Sequence, residues 1–572
     1  MAKRKPWLTA CCVLLIVICA VALVSLCIST LLGAGCSGGR FRHAAVSADS
    51  QLCSEIGKNM LLQGGSAVDG AIAALLCTSV VNPQSMGIGG GSIVVVRNKT
   101  GNVKVYNFRE STPQSFKPSL LEDCPTKFGL SAGSQWIGVP GELLGYEALH
   151  REYGKLSWSK LFEPTIKLAR EGIPLPPYLA RFMTHKIVKA YVETSSLCEV
   201  FCNKNKTILR MGDTLQFSKL AETLEIVAKE GAKKAFYTGR IGLDLIQDIK
   251  DADGTLTMDD LKSYRVRVDS PWTVSLGNHK MHIAPPPSGG PLLAFILRII
   301  KGFSLTPDSL VGEKKIQMYH RYIEAAKFAN GQKRNIRDPV YSSSKIADHL
   351  IDPLFADRIA RLISSNSTHD NSYYLNHKPS PDNFGTTHVS VIDADGLAVS
   401  ATSTINQLFG GAVYSPRTGI ILNNELADFC GRVDSIREGK ETKLTTELRT
   451  SEQPPSSMTP LILEKESGGI LVMGGSGGSL ITTSVALSLI NRLWLGMSLK
   501  DSIAAPIIFV NSKNDVNFEP GFDQSVIKGL THLGHKPGNW SFFLNVVNAL
   551  EKEDGCIEAV SDSRKLGMSA GY

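Results

Sequence analysis

The chain has 572 residues, more than one ordinary core holds, which points to two to four domains or one large α/β unit. Hydrophobic residues make up 43% and charged residues 20%, which excludes an intrinsically disordered protein. The net charge is +8, but the 61 lysines and arginines are spread along the chain without a long basic run, which argues against nucleic acid as a partner.

Lys3, Arg4 and Lys5 precede an uncharged apolar stretch from Trp7 to Leu32. That length spans a hydrocarbon core of about 30 Å with some tilt and exceeds the core of roughly 7–15 residues of a signal peptide. The expected organisation is a cytoplasmic tail at 1–6, a transmembrane signal-anchor at 7–32, and everything beyond about residue 36 outside the cell. The chain would then be a single-pass type II protein of the cell membrane. Arg40 and Arg42 at the outer end work against this orientation. The alternatives are a cleaved signal peptide, or a lipoprotein signal ending at Cys36, where Gly33 replaces the expected aliphatic residue.

Outside the cell, sequons at Asn98, Asn205, Asn366 and Asn539 become glycosylation candidates. Cys11, Cys12, Cys19 and Cys27 fall in the anchor. Cys36, Cys53, Cys77, Cys124, Cys198, Cys202, Cys430 and Cys556 remain for an oxidising compartment. Cys198 and Cys202 are close enough to bridge across a local turn; a zinc site there would need two further ligands nearby.

Along the ectodomain, residues 43–65 read as a helix ending at Gly64–Gly65. "SAVDGAIAALLCTSVV" reads as a second helix, with Ser66 as N-cap and Asp69 three residues on. Cys53 and Cys77 lie one in each, which suits a staple between them. The glycines of "GIGGGSIVVVRN" precede a strand, so the dinucleotide fingerprint fails. Residues from about 140 to 265 are mostly helical in pattern, "APPPSGGPLLAFILRIIKG" is a loop running into a buried helix, and 366–384 is polar and loop-like. "GTTHVSVIDADGLAVSATST" is strand, turn, strand; "GIILNNELADF" follows, and "GGILVMGGSGGSLITTSVALSLINRLWLG" is strand, glycine loop, helix. Mixed strands and helices with hairpins indicate a layered α/β protein.

The hairpin carries the chemistry. Thr386, His388 and Ser390 share one face. "ADG" suits a three-residue turn with Gly396 left-handed, which pairs Asp393 with Leu397 and sets Thr404 opposite Thr386. Cross-strand threonine pairs are common in sheets for purely structural reasons. A cut before Thr386 would give more: an α-amine of pKa ~8 on the residue that bears the hydroxyl, hence a nucleophile with its own base.

The stretches "VVNPQSMGIGGG", "NFRESTP", "GTTHVSV", "SATSTIN", "NNELADF", "PSSMTP", "GGSGGS" and the terminal "SDSRKLGMSAGY" follow one another along the chain. In this order they resemble the animal membrane-anchored γ-glutamyltransferases, members of the N-terminal nucleophile hydrolases, over essentially the whole chain. The resemblance implies a four-layer αββα fold. It implies a precursor cut between Gly385 and Thr386 into a large subunit, 33–385, and a small subunit, 386–572, that form a heterodimer. The implied substrates are glutathione and its S-conjugates, leukotriene C4 among them, with water, amino acids or dipeptides as acceptors and no metal or organic cofactor. By the same resemblance Thr386 is the nucleophile and Thr404 orients it. Arg109 binds the donor α-carboxylate with Ser456 and Ser457. Asn406, Glu425 and Asp428 take the α-ammonium, and Gly477 and Gly478 form the oxyanion hole. Taken alone, Arg109–Glu110 also reads as a surface pair, and Glu425 and Asp428 as a solvated helix face. Two departures stand out: Thr387, where relatives often have a smaller residue, and "STINQLFGG" just beyond Asn406, which bears on donor preference.

Two rival readings remain. Ser476 in Gly474–Gly478 satisfies G-x-S-x-G, with Asp501, Asp515, Asp523, His532 and His535 downstream for a triad. A catalytically silent ectodomain paralogue would keep the fold without the reaction.

Overall fold

The computed structural model describes residues 16–21, 36, 38–125, 130–343, 345–376, 382, 385–432, 448–539 and 546–572. Runs such as Ile93-Val94-Val95-Val96 are β-branched throughout, so they form strands with both faces buried rather than alternating ones. The strands used below are β1 (Ala45–Ser47), β2 (Gly91–Arg97), β3 (Val103–Phe108), β4 (Arg267–Asp269), β5 (Trp272–Ser275), β6 (His279–Ile283), β7 (Thr387–Ile392), β8 (Ala398–Thr404), β9 (Leu461–Lys465), β10 (Ile470–Ser476), β11 (Val546–Glu553), β12 (Cys556–Val560) and β13 (Ala570–Gly571). One seven-stranded sheet has the order β13-β1-β7-β8-β2-β3-β4, and a six-stranded sheet the order β12-β11-β10-β9-β6-β5. Their ladders are antiparallel.

The two sheets pack face to face through Ile93, Val95, Val105 and Ile392 on one side and Ile462, Val472, Leu550 and Ile557 on the other. Val94 and Val96 point the opposite way, into a core shared with α1 (Gln51–Leu62) and α2 (Ala67–Val81). Met281, Leu461, Leu463 and Met473 do the same toward α3 (Gly290–Lys301), α4 (Glu313–Gln332) and α5 (Ile481–Leu493). Helix, sheet, sheet, helix is the expected layering.

Ser66 and Asp69 form the expected capping box at α2. The expected helix over 43–65 is corrected: it begins only at Gln51, and Ala45–Ser47 is a strand between β7 and β13. The main chain of Tyr572 binds His43 and Ala44, so that segment is recruited into the sheet by the far end of the chain. Among the described residues no helix is long and apolar enough to cross a membrane. The expected anchor falls almost wholly outside them; only 16–21 are described there, and they are helical.

The eight cysteines from Cys36 onward are all paired: Cys36–Cys556, Cys53–Cys77, Cys124–Cys430 and Cys198–Cys202. The zinc reading of Cys198 and Cys202 is thereby removed. Asn205, Asn366 and Asn539 are exposed and Asn98 is half-buried.

Candidate active site

Thr386 stands immediately before β7, where the loop enters the sheet. The β8 ladder pairs Thr402 with His388 and Ser403 with Thr387, and one step on it sets Thr404 opposite Thr386. The two hydroxyl oxygens are 3.1 Å apart. Thr404 Oγ1 also accepts from the Asn406 N–H at 2.8 Å, which leaves its own hydrogen available for Thr386. The Thr386 N–H donates to the Ser85 carbonyl at 3.0 Å.

The peptide ahead of Thr386 is held as firmly. The Gly477 N–H donates to the Gly385 carbonyl at 2.9 Å. Gly477 and Gly478 both have positive φ, +115° and +59°, a backbone that glycine adopts without penalty and that turns the end of β10 toward this carbonyl. A Cβ on Gly385 would lie 1.9 Å from the Asn406 carbonyl oxygen, so only glycine fits. Thr386 itself has φ +79°, a genuine outlier for a β-branched residue, costing on the order of 1–3 kcal/mol. A nucleophile candidate, a carbonyl already in a donor's grip and a strained link between them therefore coincide.

Beneath the hairpin, His388 is fully buried between Thr402 Oγ1 (2.8 Å) and Ser390 Oγ (3.0 Å). Burial, helped by the nearby Lys565 charge, pushes its pKa down to about 3, so it is neutral. A Cβ on Gly474 would be 2.3 Å from the His388 ring, so this glycine lets β10 pass over it.

The second group of residues lies beyond Asn406. Asn406 Nδ2 donates to the Asn424 carbonyl at 3.0 Å, and a 3₁₀ turn, Glu425–Arg432, follows. That turn aims Glu425 and Asp428 at one guanidinium. Arg109 Nη1 lies 2.5 Å from Glu425 Oε1, and Nη2 lies 2.7 Å from Asp428 Oδ2. Arg109 Nε and Nη2 also donate to the Pro454 and Pro455 carbonyls at 2.8 and 2.6 Å, just ahead of the half-buried Ser456 and Ser457. The surface-pair and solvated-face readings are corrected: Arg109 and Glu110 are both 0% exposed and Glu425 is 1% exposed. Burial raises the Glu110 carboxyl well above its usual range, and the neighbouring Glu425 charge adds to this.

Sequence reasoning missed Lys565 and Asp49. Lys565 Nζ donates to Asp49 Oδ2 (2.8 Å), the Thr386 carbonyl (2.8 Å) and Ser476 Oγ (2.6 Å). Asp49 Oδ2 also accepts from Thr387 Oγ1 at 2.6 Å, which gives the larger residue after Thr386 a partner. The motif "SDSRKLG" was visible, but the neighbours of its lysine were not.

The serine-triad reading is not assembled. Ser476 accepts from an ammonium, His535 instead contacts His320 and Lys327 at 2.8 and 3.0 Å, and His532 is exposed. Asp501 engages Ser498, Asp515 engages Asn511, and Asp523 engages Lys315 and Ser525. The donor atoms of His320, Glu324 and His535 lie within 4.8 Å of one another, a spacing a metal would accept. Lys327 Nζ already sits there, 3.4 Å from Glu324 Oε1 and 3.0 Å from His535 Nδ1.

A threonine at a strand head, its hydroxyl and the preceding carbonyl both gripped, inside an αββα sandwich, defines the N-terminal nucleophile hydrolase class. Cephalosporin acylase from Bacillus halodurans shares the fold, with a TM-score of 0.80 at 22% identity over 94% of this chain and 98% of that one. The family model "Gamma-glutamyltranspeptidase" matches residues 53–572, and the chain belongs to that family, whose enzymes hydrolyse and transfer γ-glutamyl groups. It is 46% identical over 547 residues to "Glutathione hydrolase 5 proenzyme" of Rattus norvegicus and 45% identical over 556 residues to the Homo sapiens protein of that name, covering 94% of each chain. Gamma-glutamyltranspeptidase from Helicobacter pylori is 30% identical, with a TM-score of 0.51 over 56% of this chain and 92% of that one.

Proposed function

We propose that the chain is a self-processing precursor whose Thr386 cleaves the γ-glutamyl amide of glutathione and of glutathione S-conjugates, leukotriene C4 among them. The observation that carries this reading is the pairing of Thr386 Oγ1 with Thr404 and of the Gly385 carbonyl with the Gly477 N–H. In processing, Thr386 Oγ attacks the Gly385 carbonyl carbon while Gly477 holds the developing oxyanion. The peptide C–N bond breaks and an ester forms. Water hydrolyses the ester, leaving the Gly385 carboxylate and the free Thr386 amine.

In turnover the amine takes the hydroxyl proton as Oγ attacks the donor's γ-carbonyl, and passes it to the leaving nitrogen. Water, an amino acid or a dipeptide then resolves the γ-glutamyl ester. A γ-glutamyl group ends in a free amino acid, so a zwitterion must be bound. Arg109 with Ser456 and Ser457 suits its carboxylate, and Asn406, Glu425 and Asp428 suit its ammonium; the carboxylates that now pair with Arg109 are the groups a bound zwitterion would share. Four disulfides and the anchor sequence support a site outside the cell on a type II membrane protein.

N-terminal sequencing of the purified protein tests the reading: a fragment beginning at Thr386 is expected from the parent, and an uncut, inactive chain from Thr386→Ala. A fully active preparation with an intact 385–386 bond overturns it.

A further inference from the structure

Lys565 and Asp49 form a buried ion pair directly behind Thr386; their side chains are 1% and 0% exposed. All three ammonium hydrogens are used, on Asp49, the Thr386 carbonyl and Ser476. Asp49 Oδ1 accepts from Asn548 Nδ2 at 2.7 Å, and the same nitrogen donates to the His388 carbonyl at 2.8 Å. Residues 386, 387 and 388 are therefore each fixed from this side by one network. The carbonyl oxygen and the amine of one residue are separated by roughly 3 Å, so the ammonium also lies within a few ångströms of the nitrogen that a cut would free.

We propose that Lys565, tuned by Asp49, is a positioning residue that orients Thr386 and keeps its α-amine unprotonated for base duty. The inference rests on the proposed role of Thr386. In the reaction the Oγ–carbonyl bond forms, the amide C–N bond breaks, and the Oγ proton passes through the amine to the leaving nitrogen; an amine that is already protonated cannot accept that proton, so neither bond change proceeds. A nearby positive charge disfavours a second one, and at a buried site this acts at low effective dielectric. Asp49 offsets part of the Lys565 charge and so sets how far the amine is depressed.

The other titratable groups around this network do not supply this charge. His388 is neutral. The Tyr178 phenol, whose ring centroid lies 5.9 Å from Lys565 Nζ, is raised by burial and also neutral. Asp562 is bonded to Arg564. The Arg109 charge is paired with Glu425 and Asp428 beside Glu110.

The test is the pH profile of kcat/KM on a γ-glutamyl anilide, using full-length, cut enzyme. Its acid limb reports protonation of the amine in the free enzyme. Removing the positive charge in Lys565→Met raises the amine pKa, so the limb moves to higher pH by on the order of half a unit to one unit. Asp49→Asn removes the counter-charge, so the limb moves to lower pH. Lys565→Arg keeps the charge and holds the limb near the parent position. Rates that fall in both neutralising variants with the limb unmoved, or a limb that moves the same way in both, overturn the proposal. If Lys565→Met yields no cut enzyme, a limb that fails to move to lower pH in Asp49→Asn, or that moves in Lys565→Arg, overturns the proposal. Failure of the underlying reading looks different: Thr386→Ala would be cut and active.

Discussion

Thr404 contributes one hydroxyl to Thr386, and its place was legible because a three-residue turn fixes every later pair of the ladder. A contact that only positions a nucleophile leaves attack feasible but misaligned, so Thr404→Ala should slow both chain cleavage and turnover by about 10–1,000-fold. Thr404→Ser should recover much of this; parental rates in Thr404→Ala would refute the role. Arg109 was matched by motif, but its setting was not legible, because its carboxylate partners lie more than 300 residues away in sequence. Removing it should also strand Glu425 and Asp428, costing about 3–5 kcal/mol, so Arg109→Ala confounds binding with folding. Arg109→Lys is the cleaner variant. It keeps the charge but loses the fork, and KM on a γ-glutamyl anilide should rise by roughly 10–100-fold in correctly cut enzyme. An unchanged KM would remove Arg109 from the donor site. Glu110 shows the same limit from the other side: nothing in "NFREST" distinguishes an exposed carboxylate from one with no exposed surface.

At the scale of elements, long or strongly punctuated segments were legible. The α2 capping box, the β7–β8 hairpin with Gly396 at φ +84°, and the strand–glycine–helix run into α5 all follow from local signals. β1 was not, because three residues carry no periodicity and its partners are β7 and β13, far along the chain. Gly474 is a related case. Its reason is the His388 ring of the facing sheet, which no property of "VMGGSGG" announces. Gly474→Ala should force the two sheets apart beside Thr386, destabilising the protein by about 1–3 kcal/mol and slowing the proposed self-cleavage. Thermal denaturation in the uncut Thr386→Ala background checks the first effect separately from the second; an unshifted midpoint would mean that the His388 ring moves aside freely.

For the molecule as a whole, the proposed cut does not divide the fold along any natural seam. β7 and β8, from the small piece, lie between β1 and β2 of the large one, and β9 of the small piece pairs with β6 of the large. Two disulfides also cross the cut, Cys36–Cys556 and Cys124–Cys430, pairings that the sequence left open because spacing says nothing about separations of 520 and 306 residues. The first ties the small piece to the root of the expected membrane anchor. The second bolts the turn bearing Glu425 and Asp428 to the large piece. The mature enzyme is therefore expected to be a covalent heterodimer. A denaturing gel without reductant should show one species, and the same sample with reductant should show pieces of 385 and 187 residues. Cys36→Ser alone should change nothing on that gel, since the other bridge suffices. Cys36→Ser combined with Cys124→Ser should release both pieces without reductant. The interleaved sheets should still hold those pieces together in native buffer, at a stability lower by about 2–4 kcal/mol per lost bridge. Cut parent enzyme that separates into two pieces before any thiol is added would show that neither bridge spans the mature subunits, and that burial between the interleaved strands alone unites them.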